Sequence, residues 1–182
     1  MKKQAVVAAA LAVSSLASAQ EVVRIGHSAA VTGPVAYFGK DTENGARMAI
    51  EALNARGVTI GGKKARFELV AEDDGGDPKQ ATNVAQKLVD GRVNGVVGHE
   101  TSGTTIPASK IYHQAGIPQI SPSSTSPKYT QQGFNTAFRV VANDVQLGQA
   151  LGHYAVQKMN ARRVAVIDDR TAYGQGLVME FA

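Results

Sequence analysis

Short runs of β-branched and small apolar residues alternate with amphipathic helical stretches along most of the chain, and this alternation leaves few folds open. Residues 22–31 (VVRIGHSAAV) read as a strand ending at the turn signal Thr32-Gly33-Pro34. In 39–56, Ala46, Ala49, Ile50 and Leu53 fall at i, i+3, i+4 and i+7, giving a helix that Gly57 can end. Residues 65–71 (ARFELVA) form the next strand. Asp77-Pro78 then supplies an N-cap and a first-turn proline for a helix carrying Ala81, Val84, Ala85, Leu88 and Val89, closed by Gly91. Strands at 93–98, 117–121 and 137–141 and a helix at 104–114 continue the cycle. Short, continuously apolar strands separated by helices predict an α/β fold, a doubly wound parallel sheet with helices on both faces.

A second cycle then begins. Asn143 reads as an N-cap for a helix running to about Met159, residues 163–168 (RVAVID) as a buried parallel strand, and Tyr173-Gly174-Gln175-Gly176 as the opening of another helix. The expected division is a first α/β lobe at 20–141 and the start of a second at 142–182, with the second lobe truncated at Ala182.

Residues 1–19 read as an address. Met1-Lys2-Lys3 is basic, the stretch from Ala5 to Leu16 is apolar apart from Ser14 and Ser15, and Ala17-Ser18-Ala19 is a small-x-small cleavage site before Gln20. The apolar run is about a dozen residues where a membrane span needs ~20. A secretory signal is therefore expected, with export to a bacterial periplasm or exterior. Without Lys2 and Lys3 the chain carries 17 basic against 15 acidic side chains, a net of +2, so nucleic acid is not expected as a partner. The absence of cysteine excludes disulfides, thiolate metal sites and thiol catalysis.

In an open parallel sheet, ligands bind beyond the carboxyl ends of the strands. One such end leads into His99-Glu100-Thr101-Ser102-Gly103-Thr104, a hydroxyl-rich loop that becomes a helix N-terminus suited to a small carboxylate. Another leads into Pro122-Ser123-Ser124-Thr125, whose hydroxyls, amides and carbonyls can meet both ends of an amino acid. Chemistry alone leaves capping and ligation equally open for these residues. Catalytic readings find little support. Gly26-His27-Ser28-Ala29-Ala30 lacks the second glycine of a nucleophile elbow. His27, His99, His113 and His153 stand at no metal-ligand spacing, Gly174-Gln175-Gly176 lacks the third glycine of a dinucleotide fingerprint, and Asp73, Asp74 and Asp77 miss the calcium-loop pattern.

Five segments together resemble the branched-chain amino acid binding proteins, the periplasmic substrate-binding proteins of ABC importers with the type I fold. They are Gly33-Pro34-Val35-Ala36-Tyr37-Phe38-Gly39, the stretch from Asp73-Asp74-Gly75-Gly76 to Ala81, Gly98-His99 through Ser109, Ser121 to Thr125, and Tyr173 to Gly176. The resemblance implies that Ser102 binds the ligand carboxylate and that the segment of Ser123 and Thr125 holds carboxylate and ammonium. It also implies that Tyr173 closes from the second lobe and that Phe38 faces the ligand side chain, without the hydroxyl that a tyrosine has there. Gly76 and Thr101 stand where some members have a disulfide pair, and the acidic group for the ammonium is expected beyond Ala182. The implied protein is not an enzyme and uses no cofactor or metal. It captures an amino acid, foremost leucine, isoleucine or valine, between two lobes, delivers it to a membrane permease, and is monomeric at full length. The alternative is a sensory module of the same fold, binding an amide or other small organic solute and feeding a receptor or regulator, which the neighbouring genes would discriminate. The 182-residue piece by itself is expected to expose apolar surface, bind weakly and aggregate.

Overall fold

The computed structural model describes residues 20–182; the expected export signal lies outside them. Six strands form one sheet in the order β2-β3-β1-β4-β5-β6. They are β1 (Glu21–Ala29), β2 (Thr59–Ile60), β3 (Lys63–Asp73), β4 (Gly95–Gly98), β5 (Gln119–Ser121) and β6 (Ala137–Arg139). All pairings are parallel except that of β2 with β3, a two-residue antiparallel extension in which Thr59 faces Lys64.

The helices are α1 (Ala36–Arg56), α2 (Pro78–Asp90), α3 (Ser102–Gln114), α4 (Asp144–His153) and α5 (Ala172–Phe181). Local chemistry sets their ends. Gly57 adopts the left-handed conformation (φ 64°) that stops α1. The Asp77 side chain accepts the Gln80 N–H at 2.7 Å to start α2, with Pro78 in its first turn. Thr101 caps α3 in the same way through Thr104 N–H.

From β1 the chain crosses through α1 to β3 on one side; from β3 it returns through α2 to β4 on the other. Right-handed crossovers in opposite directions place α1 on one face of the sheet and α2 with α3 on the other. The apolar stripe of α2 (Val84, Ala85, Leu88) packs with Val93, Val96, Ala108 and Tyr112 into the main core. Burying a side chain the size of Leu88 contributes about 1.5–3 kcal/mol. Gly26 eases this packing: a Cβ there would meet both Leu88 methyls and Val96 within 3.3 Å, so those side chains would have to give way for any larger residue.

The second cycle departs from expectation. Residues 163–168 form no strand, and Ile167 is 93% exposed. Their β-branched composition favours extended backbone, but no other strand of the described chain lies beside them to complete a ladder. The expected helix to Met159 ends as α4 at His153 and continues as a π-helical turn, Tyr154–Lys158. The strand at 137–141 stops at Arg139, leaving Val140 exposed. α5 packs on α4 where small residues allow it, Gly148 facing the Glu180 backbone and Gly152 the Phe181 carbonyl. No described helix is long and apolar enough to cross a membrane.

Candidate functional site

β1 and β4 are neighbours from which the chain departs in opposite directions, so a crevice opens between their carboxyl ends. β1 exits through Ser28, Ala29 and Ala30, and β4 through His99 and Glu100. Two glycines permit the close approach here. A Cβ at Gly98, whose φ is 136°, would run into the Ser28 carbonyl, and one at Gly39 would run into the Ala30 carbonyl.

Beneath the crevice lies a buried polar chain. His99 Nδ1–H donates to Asp74 Oδ2 at 2.6 Å, Ser28 Oγ–H donates to the same oxygen at 3.0 Å, and Tyr112 O–H donates to His99 Nε2 at 3.0 Å. Burial works to raise the Asp74 carboxyl, but hydrogen bonds from His99, Gly76 N–H and Ser28 outweigh it and hold the group below the usual range. Burial also pushes the Tyr112 hydroxyl up, which keeps it a donor.

Serine, histidine and aspartate in contact invite comparison with a hydrolase triad, and the geometry excludes one. A triad needs serine and aspartate on opposite ring nitrogens, so that the imidazole can take the serine proton. Here both sit on Nδ1, which is 3.0 Å from Ser28 Oγ and already donates to Asp74, while Nε2 is occupied by Tyr112. The cluster pins the ends of β1, β3 and β4 together. His27 stays inside the sheet, its Nδ1 bonded to the Val97 carbonyl at 2.9 Å and its pKa lowered by burial.

Above this layer the hydroxyl-rich loops meet. Ser102, 1% exposed in the first turn of α3, accepts the Ser126 N–H at 3.2 Å and the Ser124 hydroxyl at 3.3 Å. With both lone pairs engaged, its own hydroxyl proton remains to be donated. Ser123 Oγ–H donates to the Glu100 carbonyl at 2.8 Å, tying the two strand-end loops together. Thr125 is buried, and its Oγ1 has no partner. Arg139 braces this loop by donating to the carbonyls of Ser124 and Ser126 at 3.0 and 2.9 Å and to the Thr130 hydroxyl.

Ser102, Ser123 and Thr125 are thus brought together. Phe38 stands apart in the first turn of α1, 54% exposed, with its ring 4.3 Å from that of Tyr37. Tyr173 is 43% exposed in the first turn of α5.

Two acidic residues escaped the reading of the sequence. Asp144 N–H donates to the Thr125 carbonyl at 2.9 Å, and both of its carboxylate oxygens are buried without a partner. A Cβ at Gly176 would stand 2.9 Å from Asp144 Oδ2, so α5 covers the carboxylate. Glu100 is 7% exposed and its Oε2 has no partner; burial and the neighbouring Asp74 charge push its carboxyl up to about 7, against the pull of the Ala30 N–H. The only signal for Asp144 was an acidic residue following an N-cap at the sheet's carboxyl edge, and for Glu100 its place one residue past a strand-end histidine. No described residues form a group of histidine and carboxylate side chains able to hold a metal ion.

A doubly wound parallel lobe whose switch-point crevice is lined by hydroxyls, a helix N-terminus and unmatched carboxylates defines one lobe of a type I periplasmic binding fold. The sequence agrees: residues 22–182 match the family model described as periplasmic binding protein, and the chain belongs to that family, one of binding proteins and not of enzymes. It is 41% identical over 174 residues to Leu/Ile/Val-binding protein homolog 1 of Brucella abortus (strain 2308), covering 96% of this chain and 46% of that protein. The leucine-, isoleucine-, valine-, threonine-, and alanine-binding protein of Pseudomonas aeruginosa is 39% identical over 175 residues, 94% of this chain and 46% of the relative. Among solved structures, the branched-chain amino acid transporter substrate binding protein LivJ from Streptococcus pneumoniae, in complex with isoleucine, superposes with a TM-score of 0.81. It is 32% identical and covers 88% of this chain and 46% of that one. The chain spans about half the length of the curated relatives it matches.

Proposed function

We propose that this chain supplies one lobe, residues 20–141, and the first part of a second, residues 142–182, of a periplasmic solute-binding protein that captures an amino acid and hands it to the permease of an ABC importer. The observation that carries this reading is the pair of unmatched buried acceptors, Thr125 Oγ1 and the Asp144 carboxylate, joined through the Thr125 carbonyl. Buried acceptors without donors are costly, and an α-ammonium offers three N–H groups, which these acceptors share with the acidic group expected beyond Ala182.

The complementary end of the ligand also finds partners. Ser102 has a hydroxyl proton to donate, and the first N–H groups of α3 lack intrahelical acceptors, so a carboxylate is favoured at that helix end. Ser123 and the backbone of its loop lie beside them. Phe38 and Tyr173 serve as the aromatic walls from the two lobes. The names of the relatives favour leucine, isoleucine and valine as ligands. Closure of two lobes makes the loaded form a distinct shape that a permease can select. A secretory signal at 1–19 and a monomeric full-length form complete the reading.

The test is calorimetric titration of the full-length gene product with leucine, isoleucine and valine, alongside the variant Asp144→Ala. Removing the carboxylate should weaken binding by roughly a hundredfold, the scale of a charged hydrogen bond lost in a buried site. Heat with none of the three, or an unaltered affinity in Asp144→Ala, refutes the assignment of these groups.

A further inference from the structure

Glu100 leaves β4 one residue after His99, and its carboxyl lies between the exits of β1 and β4, within reach of the Ala30 N–H. The residue is 7% exposed, yet Oε2 has no hydrogen-bond partner. Its main chain is fixed beside the candidate ligand groups: the Glu100 carbonyl accepts from Ser123 Oγ at 2.8 Å, and Ser102 follows two residues later. The free oxygen therefore belongs to the crevice between the β1 and β4 exits, on a residue whose main chain is bonded to the Ser123 loop. An aliphatic side chain entering there would leave it unmatched, while a side chain with an N–H or O–H group supplies the missing donor. Burial and the Asp74 charge hold this carboxyl at about 7, so near neutral pH it is available both as an acceptor and, when protonated, as a donor. A primary amide presents the matching pair of groups, and a hydroxyl matches either one.

We infer that Glu100 is a specificity determinant whose free Oε2 pairs with a polar ligand side chain, so that amino acids bearing a primary amide or a hydroxyl are preferred over purely aliphatic ones. This rests on the amino-acid reading above and departs from the aliphatic ligands that the names of the relatives favour.

The experiment is titration of the full-length gene product with glutamine, threonine and leucine, in the wild type, Glu100→Met and Glu100→Gln. The wild type should favour glutamine or threonine over leucine by roughly tenfold or more. Glu100→Met, which keeps the length of the side chain without its oxygens, should reverse that order, and Glu100→Gln should preserve it. A second measurement needs no variant: the carbon-13 resonance of the wild-type Glu100 carboxyl should shift on adding the favoured polar amino acid and not on adding leucine. A wild-type preference for leucine, an order unchanged in folded Glu100→Met, or an unmoved carboxyl resonance overturns the inference while leaving the amino-acid reading in place. No binding of any amino acid by the wild type overturns both.

Discussion

Replacing Glu100 with glutamine should stabilise the ligand-free protein at pH 8 and leave it almost unchanged at pH 4. In the fold the carboxyl is raised to about 7 from the ordinary 4.5, first by burial and then by the Asp74 charge at the end of β3, against the Ala30 N–H. Asp74 is itself held ionised by His99, Gly76 and Ser28, so its charge persists across this range. The folded state thus binds more protons at Glu100 than the unfolded state between those two values. Stability falls as pH rises through that window and is constantly lower above it. At about 1.4 kcal/mol per pH unit, a rise of roughly 2.5 units costs at most about 3.5 kcal/mol at pH 8. Glutamine can still accept the Ala30 N–H and carries no charge to desolvate, so the penalty disappears. Thermal unfolding of wild type and Glu100→Gln at pH 4, 6 and 8 measures the difference. The gap in Tm should open steadily with pH and reach several degrees. Parallel Tm profiles for the two proteins would show that Glu100 ionises freely and that its burial has been misjudged.

Three other perturbations test the framework around the site. Leu88→Ala empties the centre of the α2–sheet core and should lower stability by about 2–5 kcal/mol in urea denaturation. Tyr112→Phe leaves His99 Nε2 buried without its donor and should cost about 1–3 kcal/mol, a loss that the same denaturation curves would register. Gly39→Ala drives a methyl into the Ala30 carbonyl, so α1 must shift or the chain must misfold, with a cost of about 1–3 kcal/mol or more; an unchanged Tm would mean that α1 does not sit so close to β1.

The elements whose formation depends on neighbours in sequence were legible. Asp77-Pro78 starts α2 and Gly57 ends α1 because caps act within one turn of chain. The periodic stripe Val84, Ala85 and Leu88 named the face that is buried, and Gly98, followed by His99, marked where β4 gives way to a functional loop. Boundaries moved by a few residues, as with α1, which begins at Ala36 instead of Gly39. Residues 163–168 mark the limit of such reasoning. Their composition is that of a buried strand, but a strand is completed by a partner's hydrogen bonds, and no partner strand among the described residues stands beside them.

The candidate site divides along the same line. Ser102, Ser123 and Thr125 could be named because hydroxyl-rich loops after strands are visible in one dimension, and the sequence alone determined a parallel α/β lobe with its polar chemistry at the strand ends. Only the tertiary structure decided what each group is free to do. It engaged both lone pairs of Ser102 and left its proton available, turned Ser28, Asp74 and His99 into a clamp instead of a catalytic relay, and buried Asp144 and Glu100 with unmatched oxygens. The physical reason is that hydrogen-bond satisfaction and desolvation depend on contacts between residues far apart in sequence, such as Ser28 with Asp74 and Asp74 with His99, which no local pattern records.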